Sequence, residues 1–143
     1  MTESLPRAEE YLNFFENMCH KDRPLVWVAT MSSDGRLHLV PTCFVKPLDE
    51  NRIAIGCVFI KQTLQNVKRN RYVTLAAVRF SEGYDGYMIK GTGEVIEKGD
   101  VFEQLKKTVL EASKGKRTIH SVLVVRIEAV YSLKPASGSK RVR

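Results

Sequence analysis

From Leu25 onward the chain is a succession of short apolar runs rich in β-branched residues, most joined by connections too short to hold a crossover helix. The runs are Leu25–Thr30, Leu37–Val45, Ile53–Phe59, Tyr72–Phe80, Tyr87–Ile96 and Ile119–Leu133, which makes about six strands. Between the first two, Ser33-Asp34-Gly35 readily accepts positive φ and predicts an antiparallel hairpin. Leu48-Asp49-Glu50-Asn51 predicts a second turn, and Ser81–Gly86 a loop. A parallel α/β sheet needs a helix after nearly every strand, and this order does not supply one. An antiparallel barrel with peripheral helices accounts for it, and closure removes exposed strand edges. Gly91 and Gly93 fall inside one run, where glycine marks a sharp bend or a close backbone approach, and both suit a small, strongly curved barrel.

Three segments break the two-residue period. Ala8, Tyr11, Leu12, Phe15, Met18 and Cys19 recur at helical spacing behind Ser4, Pro6, Glu9 and Glu10, which predicts an amphipathic helix over about residues 5–20. A short helix follows Phe59. A third opens at Gly99-Asp100, with Asp100 as candidate N-cap and Phe102, Leu105 and Val109 on one face. Ser113–Arg117 reads as a loop, and about residues 135–143 as a basic, solvated tail. The 143 residues form one domain, long enough for a core without metal or disulfide staples.

No run has the length of a membrane span, and the amino terminus lacks the basic-then-apolar order of a signal peptide. Cys19, Cys43 and Cys57 are odd in number and make no C-x-x-C pair, so three reduced thiols in a cytoplasmic protein are expected. The net charge of +7 would attract nucleotides, phosphorylated cofactors or nucleic acid.

The most suggestive site lies where Ile53, Ile55, Cys57 and Phe59 alternate as strand residues and Lys61, Gln62 and Thr63 then enter the first turn of a helix. A helix start presents unpaired N–H groups and the positive dipole end, and here an ammonium, an amide and a hydroxyl join them. Such a place suits a phosphate. The plainer alternative is that Thr63 caps the helix while Lys61 and Gln62 point into water.

Other chemistry is missing from the pattern. His20, His38 and His120 are scattered without metal-ligand spacing, so no metal site is expected. Gly91-Thr92-Gly93 lacks the third glycine and the following helix of a dinucleotide fingerprint. Cys43 and Cys57 fall within strands and read as buried and inert. With no acid, base or nucleophile set, no catalytic side chain can be named, and an enzyme built this way would take its chemistry from a cofactor.

The order of these segments resembles the flavin-binding split β-barrel superfamily, which holds the pyridoxamine 5′-phosphate oxidases and the small FMN-binding proteins. The carriers are Val28-Ala29-Thr30 with Asp34-Gly35-Arg36, then Val40-Pro41-Thr42, Lys61-Gln62-Thr63-Leu64-Gln65-Asn66-Val67 with Asn70, and Gly86-Tyr87-Met88-Ile89-Lys90-Gly91-Thr92-Gly93-Glu94. The resemblance implies a split barrel, FMN as cofactor, and a homodimer with FMN at its interface. It places the FMN phosphate on Lys61, Gln62 and Thr63, and the ring and ribityl chain along Val40, Pro41, Thr42 and Cys43 and along Ile55, Gly56 and Cys57. It also implies NADH or NADPH as a possible electron donor.

Val40-Pro41 stands where the oxidase branch has an arginine, Gln62 where it has a second basic residue, and Lys134–Arg143 has no arginine-rich counterpart to the oxidases' substrate grip. These departures point to the short FMN-binding proteins rather than to true oxidases. Two further readings stay open: a non-enzymatic binder of a planar cofactor such as deazaflavin or haem, and a nucleic-acid-binding barrel. The second lacks a cluster of stacking aromatics beside its basic residues.

Overall fold

A computed structural model of the chain describes residues 8–58, 60–80, 82–135, 138 and 140–143. Its frame is one antiparallel sheet of eight strands: β1 (Asn17–Met18), β2 (Leu25–Met31), β3 (Leu37–Thr42), β4 (Phe44–Asp49), β5 (Arg52–Cys57), β6 (Tyr72–Phe80), β7 (Tyr84–Ile96) and β8 (Ser121–Ser132). Their order across the sheet is β1-β4-β5-β8-β7-β6-β2-β3. Strands β3 and β4 are consecutive in sequence yet lie far apart in that order, so the sheet curls until its two ends face each other. This is a split barrel, as the strand pattern predicts.

Two strands exceed the sequence expectation. The Leu37–Val45 run is cut at Cys43, and its second part continues as β4 to Asp49, through residues expected to turn. The amino-terminal helix is also shorter than its periodicity suggests. α1 spans Ala8–Leu12, a 3-10 turn covers Asn13–Phe15, and Asn17–Met18 pair with β4 as β1. The buried Asn17 side chain donates to Pro24 O at 2.9 Å and accepts from His20 N at 2.6 Å. Those tertiary bonds favour an extended chain over a marginal helix end. The expected helix start at Ser4 and Pro6, and the strand end at Phe59, lie outside the described residues.

The barrel interior is filled by alternate residues: Val26 and Val28 from β2, Ile53 and Ile55 from β5, Leu75 from β6, Ile89 from β7, and Leu123 and Val125 from β8 are all completely buried. Gly91 shows why glycine is needed on β7. A Cβ there would lie 2.0 Å from Arg126 O, beside the register shift between β7 and β8. α2 (Lys61–Arg69) closes one end of the barrel with Val67, and a Cβ at Gly93 would meet that side chain at 3.0 Å. α3 (Asp100–Ala112) lies outside, its Phe102, Leu105 and Val109 packed on Ala54, Ile119 and Val122. Gly99 rather than Asp100 is its N-cap, with φ of 102°.

The last four residues of the expected tail are docked on the barrel. Val142 N donates to Val130 O at 2.7 Å, and the Arg143 guanidinium reaches Tyr11 Oη, Glu50 O and Asn51 Oδ1, each at 2.6 Å. No helix among the described residues is long and apolar enough to cross a membrane.

Candidate functional site

The β3–β4 junction, the end of β5 and the end of α3 enclose a cavity of about 480 Å³. Pro41, Thr42, Cys43 and Gly56 of the sequence-predicted residues line it, together with Met18, Cys19, Val58 and Ile60. Lys116 and Arg117 give it a cationic rim, and among the described residues no acidic side chain lines it. A second cavity of about 430 Å³ shares Val58 and Ile60 with the first and adds Cys57, Lys61, Leu64, His120 and Ser121. Both volumes fall in the range of cofactor and small-ligand pockets.

Gly56 is bare where β5 packs closely on its neighbours. A Cβ there would sit 3.2 Å from Ile119 Cγ2 and 3.3 Å from Phe44 Cβ, tighter than ordinary contact. The cations arise from the way α3 ends. Gly115, at φ 78°, donates its N–H to Leu110 O at 2.8 Å, which stops the helix and turns Lys116 and Arg117 toward the cavity. Cations at this end also suit the negative pole of the helix.

The helix-start trio separates on folding. Lys61 is exposed and lines the second cavity. Gln62 Nε2 donates to Asn66 Oδ1 at 2.9 Å, while Asn66 Nδ2 donates to Thr30 Oγ1 at 3.0 Å, a chain that ties α2 to β2. Thr63 is fully buried, and its hydroxyl has no hydrogen-bond partner among the described residues. Thr63 therefore does not cap the helix; Ile60 is the N-cap and makes no side-chain capping bond. Lys61 and Gln62 are both exposed, as the plainer alternative expects, but Thr63 is not the cap that alternative makes it.

Of the residues the resemblance places along the ring, Val40 and Ile55 turn their side chains to the barrel core: Ile55 is completely buried and Val40 packs against that cluster. Cys57 is buried, its thiol donates to Ile55 O at 3.4 Å, and burial pushes its pKa up to about 11 despite opposing hydrogen bonds from Leu123 and Ser121. Buried and inert describes Cys57. It does not describe Cys43, which lies between strands, half-buried, in a disulfide with Cys19 across a Cα–Cα distance of 4.5 Å. The expectation of three reduced thiols fails for this pair, because the β1–β4 pairing brings together residues 24 apart in sequence.

Sequence reasoning missed Met18, Cys19, Lys116, Arg117 and His120 as cavity residues. Only the basic run Lys114-Gly115-Lys116-Arg117 carried a signal. Among the described residues, no group of three or more His, Cys, Asp or Glu side chains could hold a metal ion.

A curled antiparallel sheet with a cavity at its split, flanked by cations and an uncapped helix start, defines a split-barrel protein. Residues 9–134 match the sequence model of the pyridoxamine 5′-phosphate oxidase family, and the chain belongs to that family. No curated protein matches it. Three solved structures share the fold. An FMN-binding protein from Syntrophomonas wolfei superposes with a TM-score of 0.76 at 12% identity, over 89% of this chain and 86% of its own. HupZ of Group A Streptococcus gives 0.69 at 24% identity, over 78% and 86%. A heme binding protein from Mycobacterium smegmatis gives 0.65 at 15% identity, over 92% and 55%.

Proposed function

We propose that this chain is a cytoplasmic FMN-binding flavoprotein, an oxidoreductase or electron carrier that works as a homodimer. The observation that carries the reading is the paired cavity: apolar walls from Met18, Pro41, Val58 and Ile60, with Lys61 at one side and Lys116 and Arg117 at the other. Lys61 and the uncapped first-turn amides of α2 suit a phosphate, because charge-assisted bonds from a helix start hold an anion well. The apolar walls suit a ring and keep water from it. Bound FMN would supply reversible electron transfer, with NADH or NADPH as a candidate donor.

The dimer is supported by where the apolar surface lies. Nine of the ten exposed large hydrophobic side chains among the described residues fall on β2, β3, β6 and the start of β7; Leu110 is the exception. Register puts them on one face: Trp27 lies between Pro41 and Ala76, Leu25 beside Val78, Met31 beside Leu37, and Phe80 beside Tyr84. A contiguous patch of this kind marks a protein contact, and a second copy would bring the same patch. Pro41 belongs both to this face and to the first cavity, so a partner would border the site.

The test is the visible spectrum of the purified protein, followed by FMN titration of the apo form. Flavin bands or micromolar uptake, weakened roughly ten-fold by Lys61→Ala with the far-ultraviolet spectrum unchanged, is the expected result. A colourless protein indifferent to FMN overturns it. One observation favours a second reading: His120 is exposed and lines the second cavity, where its imidazole would be the residue to hold a haem iron. A Soret band on haem addition that is lost in His120→Ala would select that reading.

A further inference from the structure

We propose that Cys19 and Cys43 form a thiol–disulfide exchange site, a couple on the wall of the first cavity that small thiols reduce and small disulfides re-form. The site does not depend on the nature of the cofactor. Its geometry comes from the backbone. β1 and β4 align Asn17 with Val45 and Met18 with Phe44, and one step further Cys19 N donates to Cys43 O at 2.8 Å. The cysteines are thus opposed by strand pairing, and they remain opposed when the bond between them opens. Their Cα separation of 4.5 Å lies within the span a disulfide bridges without backbone movement.

Accessibility and charge separate this pair from a structural staple. Cys19 is exposed and Cys43 half-buried, and both line the cavity. Exposed disulfides are the labile ones, whereas structural bridges resist reduction. Lys116 and Arg117 line the same cavity with no carboxylate from the described residues among its walls, a setting that stabilises a departing thiolate. The third cysteine supplies the contrast within one molecule: Cys57 is buried and its thiol is held protonated at neutral pH.

Cys19 Sγ, the more exposed sulfur, is the point of attack. A thiolate RS⁻ bonds to it, the Cys19–Cys43 bond breaks, and its electron pair leaves on Cys43 Sγ. A second thiolate attacks the R sulfur of the mixed disulfide and releases Cys19 as thiolate together with RSSR. The two protons given up by the thiols end on Cys19 and Cys43, so that two RSH and one protein disulfide become one protein dithiol and one RSSR. Excess RSSR drives the reverse.

The experiment equilibrates the full chain with a series of glutathione to glutathione disulfide ratios, quenches with acid and alkylates under denaturing conditions. Intact mass and peptide mapping then count the labels. The expected result is that labels on Cys19 and Cys43 rise together from none to two within the series, retrace on return to glutathione disulfide, and leave circular dichroism unchanged. Alkylation of the reduced protein without denaturant should label these two and spare Cys57. In Cys19→Ser, Cys43 should carry a single glutathione. A bond that persists at the most reducing ratio overturns the proposal as a dead staple, and thiols that never pair in excess glutathione disulfide overturn it equally.

Discussion

At the scale of single residues, Gly91 and Cys57 illustrate how an environment sets a side chain's tolerance and chemistry. Gly91→Ala would place a methyl group against a backbone carbonyl that cannot move without disturbing β8, so it should lower stability by about 2 kcal/mol or more. Gly93→Ala meets side-chain atoms first, Leu123 Cδ1 at 2.8 Å, and should cost less. Urea melts of the two variants would reverse that order if the close approach at Gly91 were not the constraint. Cys57 makes a prediction about pH. Burial raises its pKa to about 11 from an ordinary value of 9.0, so the folded protein keeps the proton when the unfolded chain has released it. Its contribution to stability is complete below pH 9 and fades as pH rises toward 11. Comparison of wild type with Cys57→Ala isolates this slope from other alkaline titrations, and identical slopes would refute it.

At the scale of elements, the ends of the chain are held by hydrogen bonds that periodicity does not reveal. Deleting residues 140–143 removes the Arg143 bonds to Tyr11, Glu50 and Asn51 and the pairing of Val142 with Val130. The loss should be about 1–3 kcal/mol, a fall in Tm of roughly 3–8 °C, which differential scanning calorimetry would detect. An unchanged Tm would mean the tail is solvated after all. On the surface, Arg69 Nη2 donates to Met31 O at 2.8 Å and Lys68 lies 4.0 Å from Glu97, so these two cations of the basic run also have partners in the fold. β6 coincides with its predicted span, and α3 matches apart from its cap, because both bury one face at a regular period. The α1–β1 region departs because Met18 and Cys19 fall at helical spacing by coincidence, and a weak local preference yielded to pairing with β4.

At the scale of the whole molecule, the outer face of β2, β3 and β6 is where the proposed dimer would form. Trp27→Glu combined with Leu39→Glu buries two carboxylates in any contact made there, and should shift the protein to a monomer in size-exclusion chromatography with light scattering. A double variant that elutes at the wild-type mass would move the contact elsewhere or abolish the dimer. Alternation of β-branched residues, turn chemistry at Ser33-Asp34-Gly35 and the glycines of β7 are local signals, so the sequence by itself determined an antiparallel curled barrel. Which residues share a cavity is a matter of long-range register. Only the tertiary structure turned Ile55 and Val40 toward the core, buried the Thr63 hydroxyl, brought Lys116 and Arg117 to the cavity rim and set Cys19 against Cys43. A one-residue shift in pairing would reverse each strand's faces, and no local period records which strand lies beside which.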